Sequence, residues 1–341
     1  MLVRRLLILA GATALVAAGT VAAVVQPYVT PLPSPPVIVD AARLKADVKH
    51  LSVDLYPRSY DQPDSLERSA NFIRGEFANS GGRVSYQDVT VEESTYRNVI
   101  VRFGPDTGPV RVIGAHYDSF ADVGIDNDDP RGYSPRTHTP GADDNASGVA
   151  GLLELARLLG RNPPAHAVEL VAYTLEEPPH FRSEHMGSAW HARSLKASGR
   201  EVEFMLSLEM IGRFSDRPGS QRYPLRGMDR LYPDRGDFVI LVGRLGDFGH
   251  LRRLKAIMAG ATDLPVHSIN APPLLQGIDF SDHLSYWHEG YPAFMVSDTA
   301  FLRSTTYHQA SDTYDKLDYA RMAKVVQAVY AIAQRPGADV D

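Results

Sequence analysis

The chain of 341 residues contains no cysteine. This excludes disulfide bonds, thiolate metal sites and cysteine nucleophiles, so any metal must be bound through nitrogen and oxygen. Basic residues are not in excess either, because 35 Lys and Arg stand against 41 Asp and Glu, for a formal net charge of −6. That balance argues against a general nucleic-acid-binding protein. Neither a GxSxG elbow nor a GxxxxGK[ST] loop is present. The sequence therefore lacks the usual signals of a serine nucleophile and of a phosphate-binding loop.

The N-terminus carries a targeting segment. Arg4 and Arg5 precede an uncharged apolar run from Leu6 to Val25, and about 20 apolar residues are enough to span a bilayer as a helix. Two interpretations of residues 1–25 remain open: a signal peptide cleaved near Val21-Ala22-Ala23, or an uncleaved membrane anchor. Both predict an extracytoplasmic protein, secreted, periplasmic or membrane-tethered, because the basic flank stays inside the cell.

Composition changes again after the apolar run. Residues 26–39 are rich in proline and predict a stiff, extended linker. The folded domain is then expected over residues 40–341, with Asp40 as the N-cap of a first helix over residues 41–51. No internal repeat and no second domain boundary follow.

The remainder of the chain predicts the fold class. After two strands near residues 85–90 and 98–103, short apolar runs alternate with segments of helical periodicity. This alternation predicts an α/β fold, a three-layer sandwich with a central, mostly parallel mixed sheet and helices on both faces.

Acidic and histidine side chains stand at or just beyond several of these predicted strands. They are His116 and Asp118 in GAHYDS, Asp143 in PGADDNASG, Glu176 and Glu177 in TLEEP, Glu209 in LSLEMIG, and His308 in TTYHQASDT. In an open α/β sheet, strand ends deliver residues to one shared crevice. Carboxylates and imidazoles that meet there without cysteine are the ligands of a catalytic zinc site.

Each motif is ambiguous by itself. His116 and Asp118 point the same way in an extended segment, so the carboxylate is suited to orient the imidazole. Asp143 precedes a helix and is also compatible with simple capping. His308 alone reads as a surface histidine. The paired glutamates are more informative, because neighbours at a strand end splay apart, so that one binds metal while the other takes a proton from activated water.

Taken together and in order, GAHYDS, PGADDNASGVAGLLELARLL, TLEEP, LEMIG, FSDH and YHQASDT closely resemble the co-catalytic zinc exopeptidase family, from roughly Asp40 to the C-terminus. That family includes bacterial leucyl-type aminopeptidases and glutamate carboxypeptidase II, and also glutaminyl cyclases, which use the same fold with a single zinc. The resemblance implies a peptide or small-amide substrate and two zinc ions.

The resemblance also implies a role for each residue. His116 and Glu209 would bind one zinc, Glu177 and His308 the other, and Asp143 would bridge the two ions. In the family a cis peptide bond follows the bridging residue, here leading to Asp144.

Three further residues receive roles by the same resemblance. Glu176 is expected to act as general base and acid, because it neighbours the ligand Glu177. Asp118 is expected behind His116, as the partner of its imidazole. Tyr307 is expected to hydrogen-bond substrate or the developing oxyanion.

Two departures from the family pattern leave alternatives open. Aminopeptidases of the family usually carry aspartate where Glu209 stands, so the second ion is expected to be bound differently, weakly or not at all. The segment PPHFRSEHM is longer than usual, as it is in glutaminyl cyclases. The leading hypothesis is therefore a zinc aminopeptidase, followed by a single-zinc glutaminyl-peptide cyclotransferase and by a non-catalytic scaffold that kept only the fold.

Overall fold

The computed structural model describes Gly11 and residues 19–124 and 134–336. Within them the strands are β1 (Arg83–Val91), β2 (Ser94–Phe103), β3 (Val110–His116), β4 (Ala121–Gly124), β5 (Ser134–His138), β6 (Ala167–Tyr173), β7 (Val202–Glu209), β8 (Val239–Gly243), β9 (Val266–Asn270) and β10 (Ala293–Ser297). β4 and β5 form a small two-stranded sheet, and the other strands form a single large sheet.

The large sheet is mixed, with the strand order β1-β2-β6-β3-β7-β10-β8-β9. β6, β3, β7 and β10 run parallel to their neighbours in that series, and β8 and β9 are parallel to each other. β1, β2 and β6 pair antiparallel, as do β8 and β10. The parallel centre brings the carboxyl ends of four strands to one edge, where ligands bind in sheets of this kind.

Helices cover both faces of the sheet. They are α1 (Ala41–Lys49), α2 (Pro63–Asn79), α3 (Gly148–Arg161), α4 (Gly187–Ala197), α5 (Phe248–Ala261), α6 (His283–His288) and α7 (Tyr319–Gln334). α1, α2, α3, α5 and α7 supply one apolar core, and α4 and α6 supply the other. β6 shows why two cores form, because Leu170 faces the first and Val171 the second, as strand alternation requires. The predicted three-layer α/β architecture is confirmed.

The first helix begins as its sequence predicts. Oδ1 of Asp40 accepts hydrogen bonds from the amides of Ala42 and Arg43, at 2.9 and 3.2 Å. The side chain thereby satisfies two of the amides that a helix start leaves unpaired.

The predicted linker is extended, but it lies on the domain. Nε2 of Gln26 donates to Oδ1 of Asn270 at 2.7 Å, and the amide of Leu32 donates to the carbonyl of Ala256 at 2.9 Å. A Cβ at Gly260 would lie 2.1 Å from the Leu32 carbonyl, so only glycine permits this approach. Gln26 and Leu32 therefore attach this stretch to β9 and α5, whereas Tyr28 between them is exposed.

Most of the predicted targeting segment, residues 1–10 and 12–18, lies outside the described residues. Among residues 19–124 and 134–336, no helix has the length and apolar character that crossing a bilayer requires.

Candidate metal centre

Three strands of the sheet deliver the candidate ligands to one crevice. His116 is the last residue of β3 and Glu209 the last of β7. Glu176 and Glu177 follow β6 after a two-residue gap. His308 comes from the loop beyond β10. All except His308 are buried, and His308 is partly exposed.

The ligand atoms form two triads that share one residue. His116, Asp144 and Glu209 make the first triad, and Asp144, Glu177 and His308 make the second. Oδ1 of Asp144 lies 3.4 Å from Nε2 of His116, and its Oδ2 lies 3.3 Å from Nε2 of His308. A carboxylate that turns one oxygen to each triad has the geometry of a bridging ligand.

The spacing of these atoms fits zinc. Bonds of about 2.0–2.1 Å in a tetrahedral site put neighbouring ligand atoms about 3.3 Å apart. Nε2 of His116 lies 3.3 Å from Oε2 of Glu209, and Nε2 of His308 lies 3.3 Å from Oε2 of Glu177. Within the described residues, buried Nε2 of His116 and Oε1 of Glu177 have no hydrogen-bond partner. Buried polar atoms without partners are costly, and coordination to a cation removes that cost.

Asp144, and not Asp143 as expected from the sequence, belongs to both triads. Oδ1 of Asp143 accepts the amide of Gly212 at 2.9 Å, on the side of Asp298. Burial and the carboxylate of Asp298 raise the pKa of Asp143 well above its usual range. The cis peptide bond correspondingly follows Asp144 and joins it to Asn145, rather than joining Asp143 to Asp144.

Asp312 explains why only one of the two neighbouring aspartates enters the centre. Its Oδ2 accepts the amides of both Asp143 and Asp144, at 3.0 and 3.1 Å. This contact fixes the backbone of the pair, so that the two side chains leave it in different directions.

Asp118 holds the neighbouring strand end. Its two carboxylate oxygens accept the amides of Glu176 and Glu177 at 3.2 and 3.0 Å. Its carboxylate lies 3.5 Å from Nδ1 of His116, whereas its backbone carbonyl lies at 3.1 Å. The predicted orientation of His116 by Asp118 therefore runs through the carbonyl. Because a carbonyl only accepts, Nδ1 donates to it and Nε2 is left for metal.

The centre carries an excess of buried negative charge. Burial, together with the nearby carboxylate of Asp144, raises the pKa of Glu177 to about 7. Burial and the charges of Glu209 and Glu177 also raise the pKa of Glu176 well above its usual range, against the opposing effect of His116. Carboxylates crowded in this way are stabilised by a cation.

Tyr307 lies beside the centre. Its ring stacks on the imidazole of His308 with a centroid distance of 3.8 Å, and Phe120 stacks on His308 at the same distance. Burial, together with Asp144 and Glu177, raises the pKa of Tyr307 above its usual range. Its hydroxyl thus keeps its proton and remains a donor.

Three supporting residues were not identified from the sequence. Ser281 Oγ donates to Glu209 at 2.8 Å, Asp312 holds the aspartate pair, and fully buried Arg58 donates to the carbonyls of Tyr117 and Gly141. Ser281 and Asp312 stand inside FSDH and YHQASDT, so those motifs contained a signal. Arg58 lies in no such motif.

An apolar pocket opens next to the centre, with Glu209 and Tyr307 in its wall. It encloses about 710 Å³, its open mouth included. The walls come from β8, β9 and β10 and from loops, and include Met228, Ile240, Val242, Ile269, Leu275, Phe280, Met295 and Phe301. Such a wall favours a large apolar group next to the metal ligands.

The sequence matches Peptidase family M28 over residues 98–233 and 246–333. It is 50% identical over 307 residues to the uncharacterized protein YfbL of Escherichia coli strain K12, covering 90% of this chain and 92% of that protein. It is 27% identical over 301 residues to a probable leucine aminopeptidase of Arthroderma otae, covering 84% and 70%.

Solved structures share the fold. The LapA aminopeptidase of Legionella pneumophila superimposes with a TM-score of 0.65 at 20% identity, covering 88% of this chain and 71% of its own. A glutaminyl cyclase of Bacteroides thetaiotaomicron superimposes with a TM-score of 0.63 at 18% identity, covering 89% and 100%. Because a peptidase fold and a cyclase fold match equally well, the activity must be argued from the site.

Proposed function

Because the chain belongs to peptidase family M28 and is a metallopeptidase, we propose that it is a zinc aminopeptidase that removes N-terminal residues with large apolar side chains. The observation that carries this proposal is the pair of triads sharing Asp144, next to an apolar pocket bounded by Glu209 and Tyr307. A probable leucine aminopeptidase among the relatives supports the same activity.

We also propose two zinc ions. His116, Asp144 and Glu209 would hold one, and Asp144, Glu177 and His308 the other. When bound, zinc lowers the pKa of a water molecule towards ~7 and polarises the carbonyl of the substrate.

The chain's own residues supply the proton transfers. Glu176 is buried, with its Oε2 3.9 Å from Nε2 of His116, and thus faces the first triad without being one of its ligands. Its raised pKa suits a group that takes a proton from water and returns it to the leaving amine near neutral pH. The hydroxyl of Tyr307, whose ring stacks on His308, would donate to the substrate carbonyl as negative charge develops there.

The complete first triad favours this proposal over a single-zinc cyclotransferase. Glu209 lies 3.3 Å from His116, the same distance that separates Glu177 from His308 in the second triad. The extra methylene of Glu209 therefore does not move its carboxylate out of the first triad. A scaffold that kept only the fold would have no need to retain both triads and Glu176.

We further propose that the catalytic domain lies outside the cytoplasm, carried there by residues 1–25. The basic pair Arg4 and Arg5 before an apolar run supports this location. A phosphatase that is active only outside the cytoplasm, fused after Asp341, should be active. An inactive fusion of normal abundance would contradict the proposal.

The activity is tested with purified, zinc-loaded protein. Leucyl-nitroanilide should be hydrolysed, whereas the same compound with an acetylated amino group should not, because an aminopeptidase requires a free N-terminus. A glutaminyl peptide should give no pyroglutamyl product. Formation of that product without hydrolysis of leucyl-nitroanilide would overturn the proposal in favour of the cyclotransferase.

A further inference from the structure

A second, basic groove lies on the loop that follows β7 and the loop that follows β10. Its charged lining residues are Arg213, Arg217, Arg222, Arg303 and Lys316. Among the residues that the structure describes, no acidic one lines it, although the whole chain has a net charge of −6. In a net acidic protein, five cations around one groove concentrate positive potential there.

Arg303 makes this a built site rather than a chance patch. It is only 8% exposed, and its guanidinium lies over the rings of Phe214 and Phe238, at 5.5 and 4.8 Å from their centroids. Nε donates to Gln221 at 3.0 Å and Nη1 to the carbonyl of Arg213 at 2.9 Å. Within the described residues, Nη2 has no hydrogen-bond partner. A buried, charged donor without an acceptor indicates a missing acceptor.

In the described part of the chain, the charges of the other cations are not paired with carboxylates, although Arg213, Arg222 and Lys316 donate to backbone carbonyls. Within residues 19–124 and 134–336, Arg213, Arg217, Arg222 and Lys316 form no ion pair within 4 Å; Arg222 instead donates from Nη2 to the carbonyl of Phe301 at 2.9 Å. A nearby acid is engaged elsewhere, because Asp216 pairs with Arg321 at 2.5 Å.

Two further carboxylates lie close to the groove. Asp234 accepts the amide of Gly219 at 3.3 Å, and Asp298 accepts the amide of Arg213 at 2.7 Å. Asp298 also stabilises the charge of Arg303, so the positive charge of the groove that no ion pair between described residues neutralises comes from the other four cations.

The groove lies within a short peptide's reach of the metal centre. Arg213 is four residues from Glu209 and Thr305 is three from His308, which limits these separations to about 14 and 11 Å. Arg213 donates from Nη1 to the carbonyl of Lys316 at 3.3 Å, and Lys316 lies four residues after Asp312. Arg213 therefore contacts the segment that includes Asp312, the residue that holds the bridging aspartate. An extended peptide covers the same distance in about three or four residues.

We propose that the basic groove binds a carboxylate of the peptide substrate, three or four residues beyond the scissile bond. The preferred substrates are then short peptides with a free C-terminus, or longer ones with an acidic side chain there. This inference rests on the proposed aminopeptidase function. A free inorganic oxyanion such as phosphate carries the same negative charge and acceptor oxygens. The experiment must therefore distinguish binding of a peptide carboxylate from binding of inorganic phosphate.

Steady-state kinetics with matched peptides tests the proposal. Leucine followed by three or four alanines is compared as the free acid and as the C-terminal amide. We expect KM about tenfold lower for the acid, as one charge-assisted hydrogen bond implies, with similar kcat. Arg217→Gln and Arg222→Gln should each reduce this difference. Arg226→Gln, an exposed arginine of the same loop outside the groove, should leave it unchanged.

Equal KM values for acid and amide at both lengths would overturn the proposal. Inorganic phosphate should raise KM for the acid but not for the amide, because it competes only for the groove; equal inhibition of both peptides would also count against it. If phosphate binds and Arg217→Gln weakens that binding while acid and amide behave alike, the groove is an inorganic-anion site, and the carboxylate proposal fails.

Binding without turnover separates this proposal from the proposed function. Calorimetry on the Glu176→Gln protein should show tighter binding of the acid than of the amide, and Arg217→Gln in the same background should reduce the difference. Such a result would stand even if no aminopeptidase activity were found. Absence of any difference, in a protein that hydrolyses leucyl-nitroanilide in its native form, would refute the groove alone.

Discussion

Ser281 donates a 2.8 Å hydrogen bond from its Oγ to Oε2 of Glu209. The same oxygen lies 3.3 Å from Nε2 of His116. The longer side chain at position 209 is thus held in place by a hydroxyl from the FSDH motif, and its carboxylate occupies a ligand position despite the additional methylene.

Ser281→Ala should lower the affinity of the protein for one of the two zinc ions by about 10–100-fold, because residues that orient metal ligands contribute to affinity at this level. Competitive titration with a zinc chelator measures the affinity of each ion. Ser285→Ala is the matched control, since Ser285 is also buried and bonds to Ser188 instead. Equal affinities in Ser281→Ala and the native protein would mean that Glu209 is oriented without the serine.

Asp144→Asn should lose zinc from both triads, because each triad loses a carboxylate oxygen. Asp143→Asn should retain both ions, since an amide oxygen can still accept from Gly212 and its NH₂ can donate to Asp298. Zinc content per chain, measured on protein dialysed against zinc-free buffer, distinguishes the two. The opposite outcome, with metal lost only in Asp143→Asn, would restore Asp143 as the bridge.

Glu176→Gln should lower kcat by about 10²–10⁴-fold, the usual contribution of a general base. Zinc content should not change, because Glu176 belongs to neither triad. Leucyl-nitroanilide kinetics and metal analysis on the same preparation test both statements. Loss of zinc in this variant would show that Glu176 is a ligand.

Leu275→Asp should raise KM for leucyl substrates about tenfold and lower it for lysyl substrates, because it places a charge in the wall of the apolar pocket. Leu275 is a partly exposed loop residue, so the fold should tolerate the change. Leu274→Asp is the control, since Leu274 is 97% exposed and lies outside the pocket. An equal effect of both variants would place the specificity pocket elsewhere.

His267 should make stability depend on pH between about 4 and 6.5. Burial, aided by Lys255, lowers the pKa of His267 to about 4, so the unfolded chain binds a proton in this window and the folded chain does not. The free energy of unfolding should therefore decrease as pH falls from 6.5 to 4, by at most ~1.4 kcal/mol per pH unit from this residue.

Urea unfolding at pH 6.5 and 4.5, with chelator present throughout, measures the effect of His267. His267→Phe keeps the ring contact with Phe238, whose centroid lies 4.7 Å away, and should lose less stability than the native protein on acidification. Exposed His250 provides the control, because His250→Phe should follow the native protein. Identical losses in all three proteins would contradict the role of His267.

Much of this organisation was predictable because it rests on local patterns. The buried runs before His116, Glu176 and Glu209 predict strands, and parallel strands bring their carboxyl ends to one edge. The same reasoning brought together four of the candidate ligands, His116, Glu177, Glu209 and His308, but it named Asp143 where the triads contain Asp144. The edge strand Val266–Asn270 was not predicted, since its short mixture of polar and apolar residues has little strand signal.

The sequence by itself determined the chemistry: without cysteine, the available ligands are imidazoles and carboxylates, and their motifs specify a family of zinc peptidases. Only the tertiary structure decided which of Asp143 and Asp144 faces the metal centre, because the two side chains are chemically equal. Their directions depend on the backbone, which is held by Asp312, 168 residues from Asp144. It also decided that the carboxylate of Glu209 lies beside His116, since the hydrogen bond that holds this carboxylate comes from Ser281, in a distant segment. Ligand type is a property of single residues, whereas ligand direction depends on contacts between segments far apart in the chain.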